Sequence, residues 1–286
     1  MRAAVRRVFD EVDRVAVERG LDPLGPRLLG PVPPTGRDLA GAPVGTAQLV
    51  VFGASLAVHQ ALCHTYGVPS AVVGVSFGEI AALSAAGILT VGDGARAAHD
   101  LALVLASCAG GLTLLCCSQR SAHDLLTRVQ AREATIAVVN DDRSVLIAGS
   151  LPELTCVEKA AADAGVTAVR LRLPFTSHHP SLTDQAEAFA KALTAYHQAE
   201  PLCPVYSAVA GRAYNGSDDL ARRLADCLIR PAVIPPVLRH VVTAHRPDAL
   251  FEAGTGSALA TSARRVLSDG AAPAVHAPLA EPAFAW

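Results

Sequence analysis

Several kinds of residue are scarce in this 286-residue chain, and each scarcity excludes a class of protein. Charged residues make up 17% and the formal net charge is −2, so the clustered basic excess of a nucleic-acid binder is absent. The seven cysteines form no C-x-x-C pair, which indicates neither a disulfide framework nor a zinc site. Hydrophobic residues make up 51%, which suffices for a sizeable core and argues against disorder.

The N-terminal stretch has no features of a targeting segment. Residues 2–11 carry five charged side chains and no apolar core run, which argues against a signal peptide. Apolar runs such as residues 48–57 are too short and too interrupted to span a bilayer. We therefore expect a cytoplasmic protein with reduced thiols and no contact with membrane.

Hydrophobic periodicity predicts an amphipathic helix over residues 2–19 and an apolar helix over residues 46–66. Residues 22–45 are rich in proline and glycine and predict a loop. The short apolar run 71–75 is typical of a buried parallel strand, and it leads directly into a helix that ends near residue 87. Strands that alternate with helices imply an α/β protein whose mostly parallel sheet is covered on both faces.

The segment 111–173 has a different order of elements. Its patterns predict β-α-β-β-α-β, the ferredoxin-like order, with a polar turn at residues 140–143 between the two central strands. We expect a small ferredoxin-like subdomain over 111–173, inserted into a large α/β catalytic subdomain made of residues 1–110 and 174–286. Beyond the insert, helices are predicted at 181–197, 217–229 and 231–244 and strands at 204–209 and 248–252.

The stretch Gly74-Val75-Ser76-Phe77-Gly78 fits the G-x-S-x-G pattern of a nucleophile on a strand-to-helix turn. In that arrangement the glycines relieve crowding, the serine Oγ is accessible, and the Phe77 N–H can stabilise an oxyanion. A serine that merely caps the helix is the alternative interpretation, because serine is a favoured N-cap residue.

A serine nucleophile requires a base. The best candidate is His178, which follows the last strand of the inserted segment, where the chain returns to the main body. The neighbouring His179 is not excluded by spacing alone.

These motifs together resemble the malonyl-transferase-like acyltransferases of fatty-acid and polyketide synthesis, and the matches run in order along nearly the whole chain. The matching stretches are Thr46-Ala47-Gln48, Gly67-Val68-Pro69, Gly74-Val75-Ser76-Phe77-Gly78-Glu79, Ala86-Gly87-Ile88-Leu89 with Asp93, Val139-Asn140, Val145-Leu146-Ile147-Ala148-Gly149, Phe175-Thr176-Ser177-His178, Pro204-Val205-Tyr206-Ser207 and Phe251-Glu252-Ala253-Gly254. An ordered series of this kind is far more specific than any one motif.

The resemblance implies a parallel-sheet core similar to that of α/β-hydrolases, an acyl-enzyme on Ser76 with His178 as base, and ping-pong transfer. It also implies that a backbone carbonyl before Arg230-Pro231, near Cys227, orients the histidine, so that no third acidic residue is needed. The implied partners are an acyl carrier protein with its phosphopantetheine thiol, or an acyl-CoA. The final acceptor is the carrier-protein thiol or, as an alternative, an amine or hydroxyl of a small molecule. No cofactor, metal or nucleic acid is expected.

The sequence departs from the family pattern at three places. The histidine that precedes the nucleophile in the family is Val75 here, and the arginine that pairs with a malonyl carboxylate corresponds to Leu101. The N-terminal G-Q-G segment, which supplies a glutamine near the oxyanion, is not found. The residues before the base, Phe175 to Ser177, form no clear malonyl or methylmalonyl signature.

A free carboxylate against Val75 and Leu101 would be buried without a partner charge, at a cost of several kcal/mol. We therefore predict that Val75, Leu101 and residues 175–177 bind a non-carboxylated acyl group. The sequence leaves two other functions open: a hydrolase with water as the acceptor, and a non-catalytic scaffold with the same fold.

Overall fold

The computed structural model describes residues 1–268 and 272–286. Helices and strands alternate along most of the chain, so the predicted α/β class is confirmed. The helices are α1 Arg2–Glu18, α2 Gly25–Leu28, α3 Gly36–Ala40, α4 Thr46–Tyr66, α5 Gly78–Ala85, α6 Val91–Leu105, α7 Gln119–Arg128, α8 Leu151–Asp163, α9 Thr183–Leu193, α10 Leu220–Ile229, α11 Ile234–His245 and α12 Ala258–Val266. The strands are β1 Val72–Gly74, β2 Gly111–Leu115, β3 Thr135–Asp141, β4 Ser144–Gly149, β5 Ala168–Arg170, β6 Val205–Ser207, β7 Arg212–Ala213, β8 Ala232–Val233, β9 Ala249–Phe251 and β10 Ala274–His276.

The strands form three sheets, and the parallel pairing expected for the main body occurs in two short ones. The first has the order β1-β6-β7, with β1 and β6 parallel, and the second pairs β9 with β10 in parallel. The β1 edge that faces away from β6 and the β9 edge that faces away from β10 have no neighbouring strand among the described residues.

The third sheet has the order β5-β2-β4-β3-β8. Its first four strands come from the segment 111–173 and pair antiparallel, in the spatial order 4-1-3-2 of their sequence. The fifth strand, β8, comes from a distant part of the chain and lies parallel to β3, with Val138 opposite Ala232 and Val139 opposite Val233. This five-stranded sheet is therefore hydrogen-bonded, through β8, to the segment that follows α10.

The main core is formed by helices that pack around α4. Helix α4 contacts α1, α5 and α6, and its side chains Leu49 and Phe52 are fully buried there. By length and composition alone α4 could span a membrane, but more than half of its most apolar window is buried inside the protein. Its apolar character is accounted for by this packing.

Three local expectations differ from the structure. The predicted loop 22–45 contains α2 and α3, and α3 begins with a capping box in which Thr35 and Asp38 bond each other's backbone amides. The predicted helix 231–244 begins with the two residues of β8. The turn expected at 140–143 is shorter, because β3 continues to Asp141 and β4 starts at Ser144.

Candidate active site

Ser76 lies between the end of β1 and the start of α5, where the chain turns sharply. Its φ of 54° is in the left-handed region, which is uncommon for a residue with a side chain and marks a strained position. A Cβ at Gly74 would lie 2.6 Å from the Cα of Glu79, so only glycine allows β1 to pack against α5 here. At Gly78 a Cβ would meet nothing within 4 Å, so the expected relief of crowding applies to Gly74 alone.

The predicted base reaches the predicted nucleophile. His178 Nε2 lies 2.7 Å from Ser76 Oγ, and His178 Nδ1 lies 2.8 Å from the carbonyl oxygen of Arg230. His178 is only 2% exposed, and this burial lowers its pKa, while the bond to the Arg230 carbonyl opposes the shift in part. A neutral ring that donates from Nδ1 to Arg230 leaves Nε2 free to accept the serine proton.

The carbonyl that orients His178 belongs to Arg230, so the expectation for Cys227 is wrong by three residues. Cys227 lies within α10 and is buried, with its side chain against Glu79. Arg230 is the C-cap of α10 with φ −112° and ψ 148°, the extended conformation that a following proline favours. Its carbonyl therefore leaves the helix direction and points at the imidazole.

His179, the alternative base, is held elsewhere. Its Nδ1 lies 2.7 Å from Ser181 Oγ, and its Nε2 is hydrogen-bonded to the carbonyl oxygen of Glu133. Its backbone N–H donates to the carbonyl of Leu228 at 2.8 Å, which fixes the loop that carries His178 against the end of α10.

Phe77, the predicted oxyanion donor, directly follows Ser76 in the turn that leads into α5. Phe77 is the N-cap of α5, and the next two amides, of Gly78 and Glu79, donate to the carbonyls of Val75 and Ser76 within the tight turn. The Phe77 N–H is the first amide after the serine, at the positive end of the α5 dipole.

A carboxylate three residues after the serine is buried, and the sequence pattern alone assigns it no role. Glu79 is fully buried and accepts hydrogen bonds from Ser207 Oγ, at 2.8 Å, and from the hydroxyl of Tyr214. Burial raises the pKa of Glu79 to about 7, although these donors oppose the shift. Its partners are more than a hundred residues away in sequence, so no local pattern could identify them.

The predicted substrate-binding residues lie in different surroundings. Leu101 is buried in the main core. Val75 packs against a second cluster, which joins the five-stranded sheet to α11 and to Ala208, the residue after β6. Phe175 is half-buried, and Thr176 and Ser177 are buried. The Thr176 amide donates to the Cys108 carbonyl, and its hydroxyl has no partner among the described residues.

Helix α6, which carries Leu101, offers no unpaired cation. Its arginine, Arg96, forms ion pairs with Glu18 and Asp93. Its histidine, His99, is buried against Gly45, and burial lowers its pKa, so the ring is neutral near pH 7. Among residues 1–268 and 272–286 there is also no cluster of three or more side chains suited to binding a metal.

A serine on a strained strand-to-helix turn, paired with a neutral and oriented histidine, is the arrangement of enzymes that transfer acyl groups. The class is thus that of serine–histidine acyl-transfer enzymes. The family model described as "Acyl transferase domain" matches residues 41–283, and the chain belongs to this family.

Curated relatives and solved structures agree with this assignment. The chain is 29% identical over 244 residues to polyketide synthase GfsB of Streptomyces halstedii. The matched region covers 84% of this chain and 4% of the relative. It is 28% identical over 224 residues to polyketide biosynthesis protein ThaF of Burkholderia thailandensis. This match covers 77% of this chain and 19% of the relative. The chain therefore spans a small part of the length of these relatives.

Among solved structures, the malonyl-CoA:acyl carrier protein transacylase of Xanthomonas oryzae superposes with a TM-score of 0.83 at 23% identity, over 98% of this chain and 87% of that one. The acyltransferase domain from module 8 of the salinomycin polyketide synthase gives a TM-score of 0.82 at 23% identity, over 95% of this chain and 63% of that one. At these identities the likeness shows the fold.

Proposed function

We propose that the protein transfers a non-carboxylated acyl group from a thioester, through an acyl-Ser76 intermediate, to the phosphopantetheine thiol of an acyl carrier protein. The observation that carries this proposal is the Ser76 Oγ–His178 Nε2 contact of 2.7 Å, with Nδ1 held by the Arg230 carbonyl. We further propose a parallel-sheet core of the α/β-hydrolase kind in residues 1–110 and 174–286, a ferredoxin-like subdomain in 111–173, and a cytoplasmic location.

The chemistry proceeds in two displacements. Ser76 Oγ attacks the thioester carbonyl while its proton passes to His178 Nε2, and the Phe77 N–H donates to the oxyanion that forms. Collapse of this intermediate breaks the C–S bond, and the leaving thiolate takes the proton from His178. In the second displacement the acceptor thiol gives its proton to His178, and its sulfur attacks the carbonyl carbon of the acyl-serine. Collapse of this intermediate breaks the ester C–O bond, and Ser76 Oγ takes the proton back from His178.

The environment of α6 supports a neutral acyl group. A malonyl carboxylate needs a cation, but the position that would supply it is Leu101, which is 6% exposed. Two arginines at α6 are committed elsewhere, because Arg96 of this helix pairs with Glu18, and Arg19 pairs with Asp100, the residue before Leu101. An acetyl, longer alkyl or aromatic acyl group avoids this unpaired charge.

A carrier-protein partner is supported by the family and by two of the similar structures. The Xanthomonas oryzae enzyme is described as a transacylase of acyl carrier protein, and another structure at TM-score 0.81 holds a malonyl-transacylase in complex with its acyl carrier protein. For this chain we propose the same class of thiol acceptor.

The test is intact-protein mass spectrometry after the protein is mixed with a panel of acyl thioesters that includes acetyl, butyryl, benzoyl and malonyl. We expect an adduct with the neutral members that is absent in Ser76→Ala and that moves to a holo carrier protein when one is added. Loss to free acid faster than transfer would instead make the protein a hydrolase. An adduct that persists in Ser76→Ala, or preferential loading of malonyl, would contradict the proposal.

A further inference from the structure

The loop that carries His178 is strained and needs support from its surroundings. His178 has a φ of 55°, in the left-handed region that residues with a side chain rarely adopt. Such a conformation persists only where neighbouring contacts fix it. Before the histidine, the Thr176 N–H donates to the Cys108 carbonyl at 2.9 Å. After it, the chain is bonded through His179 to three separate parts of the protein.

Two of these bonds join His179 to the main body. Its backbone N–H donates at 2.8 Å to the carbonyl of Leu228, two residues before Arg230. Its Nδ1 accepts the Ser181 N–H at 3.2 Å, which caps the short helical turn that follows. Because Nδ1 accepts, it carries no proton, and the ring proton of the neutral imidazole is on Nε2.

The third bond reaches the segment 111–173. His179 Nε2 donates to the carbonyl of Glu133, which lies in the loop between α7 and β3. This loop is fixed from within the segment, because the carboxylate of Glu153, in the first turn of α8, accepts the backbone N–H groups of Arg132 and Glu133, each at 3.0 Å. A carbonyl held by the small segment thus meets the ring next to the catalytic histidine.

The same segment also supports the carbonyl that orients His178. Arg230 lies two residues before β8, which pairs with β3. Residues 171–179, which connect the segment covalently to the base, contain no helix or strand. The bond from His179 to Glu133 therefore places the base on the same support as its orienting carbonyl.

We propose that His179 is a positioning residue for acyl transfer, which holds the loop of His178 through the Glu133 carbonyl. It thereby keeps His178 Nε2 at the 2.7 Å contact with Ser76 Oγ. This role rests on the proposed function, since it acts on the same pair of residues. A helix cap alone would need only Nδ1, and serine, threonine, aspartate and asparagine are the usual residues for that task. Histidine offers an acceptor and a donor on one rigid ring, which joins the cap to a second support.

The test uses two substitutions that separate the two ring contacts. Asparagine places its amide oxygen near the position of Nδ1, so His179→Asn keeps the cap and removes the bond to Glu133. Glutamine is longer and reaches the position of Nε2 with its amide nitrogen, so His179→Gln keeps the donor to Glu133 and removes the cap. Thermal unfolding of each full-length variant checks that it is folded.

The reactivity of Ser76 is measured as its rate of labelling by an alkyl fluorophosphonate, followed by intact-protein mass spectrometry. In this reaction Ser76 Oγ bonds to phosphorus, fluoride leaves, and His178 takes the hydroxyl proton. The orientation of His178 is measured separately, from the NMR signal of its Nδ1 proton in histidine-labelled protein. Neither readout requires the acyl group to be known.

We expect His179→Asn to be labelled about tenfold more slowly than the wild type, because a small misplacement of a catalytic group has a large effect on rate. His179→Gln should restore most of the rate. The Nδ1 proton signal of His178 should be retained in His179→Gln and broadened in His179→Asn. Glu153→Ala, which releases the Glu133 loop, should slow the wild type by about threefold and leave His179→Asn unchanged, because both changes act through one bond.

Several results would overturn the proposal. His179→Asn could be labelled as fast as the wild type while His179→Gln is slow, which would make His179 a helix cap alone. Slow labelling of His179→Asn with an unchanged Nδ1 signal would mean that His179 does not act through His178. Additive effects of Glu153→Ala and His179→Asn would exclude the shared bond. Where His179→Asn fails to fold, an unchanged rate in Glu153→Ala overturns the proposal on its own.

Failure of the proposed function gives a different result. A wild type that is not labelled at all would show that Ser76 is not activated, which would refute the acyl-Ser76 intermediate and the role of His179 with it. A wild type that is labelled, with His179→Asn equally fast, would refute the role of His179 alone.

Discussion

The stability of the protein should depend on pH through Glu79, and the dependence can be isolated by the substitution Glu79→Gln. The folded pKa of about 7 lies above the reference value of 4.5 that applies to the unfolded chain. At about 1.4 kcal/mol per pKa unit, this difference corresponds to about 3 kcal/mol.

The sign follows from the direction of the shift. Below pH 4.5 the carboxyl is protonated in both states, and the stabilising contribution is fully present. Between pH 4.5 and about 7 the unfolded chain ionises first, so the contribution is lost as the pH rises through the folded pKa. The free energy of unfolding of the wild type, relative to Glu79→Gln, should therefore fall by about 3 kcal/mol across this window and stay level above it.

The measurement is urea unfolding followed by far-UV circular dichroism at intervals from pH 4.5 to about pH 8. Glutamine has nearly the same shape and can still accept from Ser207, while its amide can donate to the hydroxyl of Tyr214. Other titrating groups affect both proteins alike and cancel in the difference. A difference that does not change with pH would refute the reasoning, because the pKa of Glu79 would then be the same in the folded and unfolded states and its donors would offset burial.

Three further predictions concern the site itself. His178→Ala should slow acylation of Ser76 by about 10²–10⁴-fold in stopped-flow assays. In the wild type the acylation rate should decline only below pH 6.5, because the pKa of His178 is lowered. A decline that begins above that pH would contradict this expectation. Gly74→Ala should lower the free energy of unfolding by about 1–3 kcal/mol in urea unfolding. The matched change Gly78→Ala should leave it unchanged or raise it by about 0.5–1 kcal/mol. An equal decrease in both variants would refute the steric argument. Leu101→Arg should raise malonyl loading relative to acetyl loading by about tenfold in the mass-spectrometric assay, with Leu101→Met as the uncharged control. An unchanged ratio would mean that Leu101 does not contact the acyl group.

The residues that the sequence identified are those whose signal is local. Ser76 was found because a strand, a glycine-bounded turn and a helix follow one another within a few residues, and His178 because its motif lies at a return point of the chain. The acceptor at Arg230 was missed because a carbonyl has no side-chain signature, although the proline after it could have indicated an extended residue there.

Other misses have the same origin in long-range contacts. The strand β8 falls within a predicted helix, because two residues are too few to show the alternating pattern of a strand. It forms as a strand because β3 lies beside it. The partners of Glu79 lie more than a hundred residues further along the chain. Helices α2 and α3 have only four and five residues, in a stretch whose proline and glycine content predicts a loop.

The pairing of β8 with β3 also determines when the site is completed during folding. Ser76 and its turn are formed from contiguous residues, but Arg230 is held in place by a strand that must join β3 across almost a hundred residues of chain. The Val233 N–H then bonds to the carbonyl of Ala208 at 2.9 Å, which ties this strand to the end of β6. Such distant closures are slow steps in folding. Recovery of activity in a refolding experiment should therefore lag behind recovery of helical signal, because the imidazole is oriented only after this late strand has docked.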